Sequence, residues 1–185
     1  LDKTPAKTAV CVLADKEEIG SDGVTGMQSR FFDTFMEDLC EGFGVPVRAC
    51  YEASSCLSAD VCNAFDPIYA EVSDPRNSAY ANYGVSFMKY TGSRGKSGSN
   101  DANAELIGSL RAALDGANVV WQMSELGKVD QGGGGTVASF MGNRNISTID
   151  IGIPVLSMHA PYEVIAKFDL YMAIRAMSAF CAMEE

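Results

Sequence analysis

The sequence predicts an α/β layered fold with a mixed, largely parallel sheet, and three observations carry that prediction. Short apolar runs alternate with segments whose apolar residues recur at helical spacing, the pattern of strands linked by crossover helices. The 185 residues suit one domain on a prior of roughly 150 residues each, with no internal repeat or linker to divide them. The composition, 47% hydrophobic and 21% charged, is that of a globular chain and not of a disordered, collagen-like or coiled-coil one.

Taken in order, residues 8–15 (TAVCVLAD) form an apolar run ending in charge and read as a buried strand. Thr25 with Gln28 has capping-box spacing, and Phe31, Phe32, Phe35, Met36 and Leu39 continue at helical spacing until Gly42 and Gly44 stop the helix. Residues 57–61 read as a second short strand and 66–82, polar with two prolines, as a surface loop. Residues 84–90 alternate as a strand, and 91–100 (TGSRGKSGSN) are rich in Gly and Ser, hence a loop. A helix over 102–114, a strand over 119–123 and a short helix over 137–141 follow. A strand over 153–158 ends at the only histidine, and the spacing of Ile165, Phe168, Tyr171, Ile174 and Met177 predicts a long helix over 162–183.

Asp and Glu number 24 against 14 Lys and Arg, a net charge of −10. So acidic a chain repels a phosphate backbone, which argues against a nucleic-acid partner. No apolar run approaches the roughly 20 residues of a spanning helix, which argues against membrane insertion. The six cysteines (Cys11, Cys40, Cys50, Cys56, Cys62, Cys181) show no CxxC or zinc-finger spacing. They read as small buried hydrophobes, which places the chain in a reducing cytoplasm. Residues 1–7, beginning at Leu1, have no apolar core and are no signal peptide; the chain reads as one whose beginning lies elsewhere.

In open α/β sheets ligands gather outside the carboxyl ends of the strands. Glu17 and Glu18 after the first predicted strand, Asp60 near the second and His159 after the last sheet strand all fall there. Carboxylates with an imidazole suit zinc or a similar divalent ion. Adjacent carboxylates also suit a division of labour, one as ligand and one as general base. The same residues have plainer readings: a solvated Lys-Glu-Glu loop, a turn-capping aspartate and a hydrogen-bonded core histidine. Spacing alone leaves both open.

Gly92-Ser-Arg-Gly95-Lys96-Ser97 follows a strand and precedes a helix, the setting of a phosphate-binding loop. The first glycine of that motif, however, would fall at Tyr90, so nucleotide binding stands only as an alternative. The glycines at 132–135 are either a flexible turn or a place of close backbone approach.

Several long segments together resemble one family. Residues 15–21 (DKEEIGS) with Thr25-Gly-Met27, 57–61 (LSADV), 122–136 (QMSELGKVDQGGGGT) and 154–163 (PVLSMHAPYE) look like M18 metalloaminopeptidases. Residues 89–103 (KYTGSRGKSGSNDAN) resemble the bacterial aminopeptidase 1 branch more than the eukaryotic aspartyl aminopeptidases. The resemblance implies a three-layer zinc-exopeptidase domain that removes N-terminal residues from peptides with two Zn2+ ions, Co2+ or Mn2+ being alternatives. By position it makes Glu17 the general base, Glu18 and His159 ligands of one metal, and Asp60 a ligand of the other. Lys89, Gly133, Gly134, Thr136 and Met158 fall along the substrate wall. Asn63 stands where many members have a histidine three residues after the aspartate.

The resemblance also implies what residues 1–185 lack: an upstream His-x-Asp motif, a bridging aspartate and an inserted dimerisation domain. The chain is then expected to be the C-terminal portion of the catalytic domain, with three of five protein ligands. Homo-oligomers, dodecameric in the family, and a missing upstream catalytic segment are its implied partners. The competing expectation is a non-catalytic fragment that serves as an assembly module, its terminal helix providing contacts.

Overall fold

The computed structural model describes residues 4–183. They run through α1 (Phe31–Phe43), α2 (Val47–Glu52), β1 (Ser55–Asn63), β2 (Val85–Met88), β3 (Tyr90–Ser93), β4 (Ser97–Asp101), α3 (Ala104–Gly116), β5 (Trp121–Met123), α4 (Ala138–Gly142), β6 (Ser147–Leu156), β7 (Val164–Ile165) and α5 (Lys167–Cys181). The main sheet has the order β1-β6-β2-β5, with β7 also on β6, and β3-β4 form a separate hairpin. β1 and β6 are parallel, from Ser55 opposite Ser147 to Asn63 opposite Val155. β2 is parallel to β5 and antiparallel to β6. The sheet is thus mixed and mostly parallel, as the alternation of apolar runs predicts.

Strand alternation divides β6 between two environments. Ile149 and Ile151 enter a core with Val85, Phe87, Leu106, Leu110, Leu114 and Met172, which binds α3 and α5 to one face. On the other face Met27, Phe32, Met36, Tyr51, Met141 and Ile146 join α1, α2 and α4, with Phe32 stacked on Tyr51 at 6.0 Å between ring centroids. Each fully buried side chain of this size contributes about 1.5–3 kcal/mol over leaving it exposed, and the two clusters produce the three layers.

Several local expectations are corrected. Residues 8–14 form no strand and lie exposed; a strand exists only through a partner's hydrogen bonds, and here a lone bridge joins Asp15 to Gly26. Thr25 and Gln28 do not cap α1. Thr25 donates to Asp15 Oδ2 at 2.7 Å, Gln28 donates to Gly20 O at 2.6 Å, and Ser29 Oγ accepts the Phe31 N–H instead. The predicted loop 91–100 is the β3–β4 hairpin, turned at Arg94 and Gly95 with φ of 54° and 71°, the double left-handed geometry that suits hairpins. That geometry also removes the nucleotide alternative: the segment is a hairpin tip, and α3 starts separately with Asn103 Oδ1 accepting the Leu106 N–H. The terminal helix starts at Lys167, not 162, because Val164 and Ile165 pair with β6. All six cysteines are free, and Cys11 is exposed where burial was expected.

Candidate metal centre

Asp60 lies near the carboxyl end of β1 and His159 just beyond that of β6, its parallel neighbour. The register therefore brings two chemically useful side chains to one rim of the sheet. The turn after β6 is tightly bent, with Ser157 and His159 at φ of 60° and 65°. Non-glycine residues adopt this conformation at a cost that surrounding structure must offset, and such strain clusters at functional sites. Glu163 Oε1 accepts the His159 N–H at 2.5 Å and holds the turn.

Glu17 and Glu18 arrive from elsewhere, on a short 3-10 turn, Glu17–Ile19, bounded by left-handed Lys16 and Gly20. The Ser21 N–H donates to Lys16 O at 2.7 Å across the base of that turn. The turn carries Glu18 Oε1 to within 3.4 Å of His159 Nε2. Glu17 is half-buried beside them. Burial pushes its carboxyl above the ordinary glutamate value, the Asp60 and Glu18 carboxylates push it further, and His159 opposes them. Asp60 Oδ1 accepts its neighbour Val61's N–H at 2.6 Å. The structure thus gathers Glu17, Glu18, Asp60 and His159 from three separate segments.

The donor types fit zinc, which takes carboxylate oxygen and imidazole nitrogen. The number falls short. Among the described residues no three His, Cys, Asp or Glu side chains close into a set able to hold a metal ion, whereas a catalytic zinc keeps three protein ligands. Glu18 and His159 form a two-donor pair, with side chains 75% and 70% exposed, open on one side.

The expected substrate wall lies around the hairpin. Lys89 pairs with Asp101 and Lys96 with Asp130, so these two cations are neutralised locally. Glu125 adjoins the Lys89–Asp101 pair; burial pushes its carboxyl up, the Lys89 charge opposes this, and Asp101 adds to it. Met158 is half-buried in the strained turn before His159. The glycine run makes close backbone approaches, but to this chain's own hairpin. A Cβ on Gly133 would sit 2.5 Å from Gly92 O, and one on Gly135 would sit 2.9 Å from Gly98 O. Gly134 lies more openly, near Leu126. Among the described residues no hydrogen bond or ion pair joins Lys89, Gly133 or Gly134 to the four-residue group. Thr136 is tied through Thr91 to Asp150, a buried carboxylate outside the residues that sequence pattern singles out. Its signal was a charge inside the apolar run 149–156, which the predicted strand, starting at 153, left out.

A family model described as aminopeptidase I zinc metalloprotease (M18) matches residues 2–181. A "Probable M18 family aminopeptidase 1" of Clostridium acetobutylicum is 50% identical over 182 residues, covering 96% of this chain and 39% of the relative. One of Borreliella burgdorferi is 47% identical over 186 residues, covering 97% and 41%. The crystal structure of an M18 aminopeptidase from Thermotoga maritima superposes with a TM-score of 0.87 at 41% identity, covering 92% of this chain and 39% of that one. The chain therefore spans about 40% of the length of the relatives it matches. With the glutamate pair, the aspartate and the histidine gathered at one sheet rim and the family pattern running from residue 2 to residue 181, this chain belongs to the M18 family of zinc metalloproteases.

Proposed function

We propose that the chain is the C-terminal portion of the catalytic domain of a zinc aminopeptidase that removes N-terminal residues from peptides. The observation that carries this reading is the 3.4 Å approach of Glu18 to His159 beside Glu17 and Asp60. Glu18 and His159 would hold one metal and Asp60 a second, with further ligands supplied by the length by which the relatives exceed this chain. Zinc, when bound, acidifies water and polarises the scissile carbonyl. Glu17, the general base, accepts the proton of the attacking water on its carboxylate and passes it to the departing amine. Its raised affinity for a proton, caused by burial and by neighbouring carboxylates, suits a group that must take one up near neutral pH. Thr136, Gly133, Gly134, Met158 and Lys89 line the substrate side in this reading. With Lys89 and Lys96 each paired to an aspartate, the hairpin gives little support to a preference for acidic N-terminal residues. The free cysteines support a cytoplasmic setting, and the family resemblance supports homo-oligomers.

One observation pair favours a second reading, a non-catalytic assembly module. The metal-ligand set is incomplete among the described residues, and α5 exposes Leu170, Tyr171, Ile174 and Met177. Hydrolysis of a panel of aminoacyl fluorogenic substrates by the chain joined to the remaining length of its relatives' catalytic domain, with chelator and then with Zn2+ or Co2+ restored, separates the two. Turnover that falls with chelator and returns with metal supports the aminopeptidase. Turnover indifferent to chelator contradicts it, and a folded oligomer without turnover or metal uptake favours the module.

A further inference from the structure

Asp150 is the one charged residue of strand β6. It is 2% exposed, between the core residues Ile149 and Ile151 but on the opposite face of the strand. Burying a carboxylate is costly unless hydrogen bonds replace the lost water, and here hydroxyls replace it. Thr91 Oγ1, in β3, donates to Asp150 Oδ2 at 3.2 Å. The Thr136 hydroxyl lies 3.4 Å from that of Thr91; burial pushes the Asp150 carboxyl up, and the neighbouring hydroxyls of Thr136, Ser58 and Thr91 oppose it. Ser58 is the cross-strand partner of Asp150 in the β1–β6 register. One buried carboxylate therefore takes the hairpin directly through Thr91 and the residue closing the glycine run through the Thr91–Thr136 contact, beside Ser58 of β1.

The glycine run needs such an anchor. Residues 132–135 carry no side chains, and glycine loses more freedom on ordering than any other residue. Their contacts are backbone packing on the hairpin at Gly92 and Gly98, so loop and hairpin must be fastened to the sheet together. Thr91 and Thr136 are the fasteners, and both lead to Asp150. Ser58 precedes Asp60 by two positions in β1, which puts both side chains on the same sheet face as Asp150.

We infer that Asp150 is a positioning residue: it anchors the glycine loop and the β3–β4 hairpin to β1, fixing the substrate wall relative to Asp60 and Glu17. The anchoring stands on this geometry; its consequence for substrate rests on the aminopeptidase reading.

Amide hydrogen exchange of the chain, read by mass spectrometry on wild type, Asp150→Asn, Asp150→Ala and Thr136→Val, tests the anchoring without metal or turnover. Exchange over residues 131–137 and 91–99 should be about tenfold faster in Asp150→Ala and Thr136→Val, with α3 and α5 unchanged. Asp150→Asn, which keeps an acceptor oxygen in place, should restore most of the protection. Wild-type exchange over residues 131–137 in Thr136→Val, or acceleration spread evenly over the whole chain, would overturn the inference. Thr136 is only half-buried, so its variant decides the matter if Asp150→Ala does not fold. In a preparation that turns over peptides, Asp150→Ala should raise KM about tenfold and leave kcat within about twofold, with Asp150→Asn restoring most of the KM; the reverse split would overturn the role toward substrate. Absence of metal-dependent turnover in the chain joined to the remaining length of its relatives' catalytic domain defeats the aminopeptidase reading, while the exchange pattern still decides the anchoring.

Discussion

The Asp169 carboxylate of α5 accepts the backbone N–H of Gly84 at 2.7 Å through Oδ1, while Oδ2 accepts that of Asn82 at 2.6 Å. Asp169 is wholly buried, so the helix that covers one face of the sheet is fastened to the turn that feeds β2. Gly84 has no substitute there: its φ is +94°, and a Cβ would lie 2.2 Å from Val120 O. Asp169→Ala leaves two amides without partners and should lower unfolding stability by about 3–5 kcal/mol, with Asp169→Asn costing less. Urea denaturation followed by circular dichroism measures both; an Asp169→Ala midpoint equal to wild type would remove the fastening role.

Arg144 donates from Nε to Asp33 Oδ1 at 2.6 Å and from Nη2 to Oδ2 at 3.0 Å, while Tyr51 donates to Oδ1 at 3.0 Å. The Arg144 hydrogen bonds, followed by that of Tyr51, hold the Asp33 carboxyl below the ordinary aspartate value against the opposing effect of burial. A depressed folded-state pKa means that the folded state releases the proton more readily than the unfolded chain. The resulting stabilisation is present at neutral pH and is lost as pH falls through the aspartate range towards the lowered value. Melting temperatures should therefore fall less on acidification in Asp33→Asn than in wild type. Parallel curves for the two proteins would contradict this.

The cysteines should differ in reactivity. Burial pushes the Cys62 thiol up to about 12 and the Cys56 thiol up to about 11, whereas Cys11 is exposed. The thiolate is the reacting form, so iodoacetamide under native conditions should label Cys11 well before Cys56 or Cys62. Peptide mass mapping over a time course reads the order, and early labelling of Cys62 would show that this part of the sheet opens.

Glu17→Gln removes the proposed base and leaves its neighbours in place. In a preparation with metal-dependent turnover it should reduce kcat by about 10²–10⁴-fold, the usual contribution of a positioned general base. Near-full turnover would refute the assignment.

The layered α/β class was legible because periodicity reports burial on one face: Leu106, Leu110 and Leu114 do enter the core. Residues 8–14 misled because apolar content signals a strand but cannot supply its partner. The hairpin at residues 91–100 looks like a loop in the sequence because small polar residues pair through their backbones without an apolar signature. Glu17, Glu18, Asp60 and His159 were found as carboxylates and an imidazole where strands should end, and family resemblance, not spacing, gave them roles. Their convergence was invisible to pattern alone, since it depends on the parallel β1–β6 register and on the strained turns at Lys16 and His159. Asp150 was missed because a lone acid in an apolar run carries no periodic signal; only its three hydroxyl neighbours, each from a different segment, show what it holds.

The most direct test of the account is a Zn2+ titration of the chain joined to the remaining length of its relatives' catalytic domain, as wild type, Glu18→Ala, His159→Ala and Glu17→Gln, in competition with a chromophoric chelator. Losing even an outer-shell group commonly weakens metal affinity about 10- to 100-fold, so losing either member of the 3.4 Å pair should weaken it at least tenfold. Glu17→Gln should bind as wild type, because the base is not a ligand. Wild-type affinity in both His159→Ala and Glu18→Ala would contradict the account: the pair would then be a surface contact and not part of a metal centre.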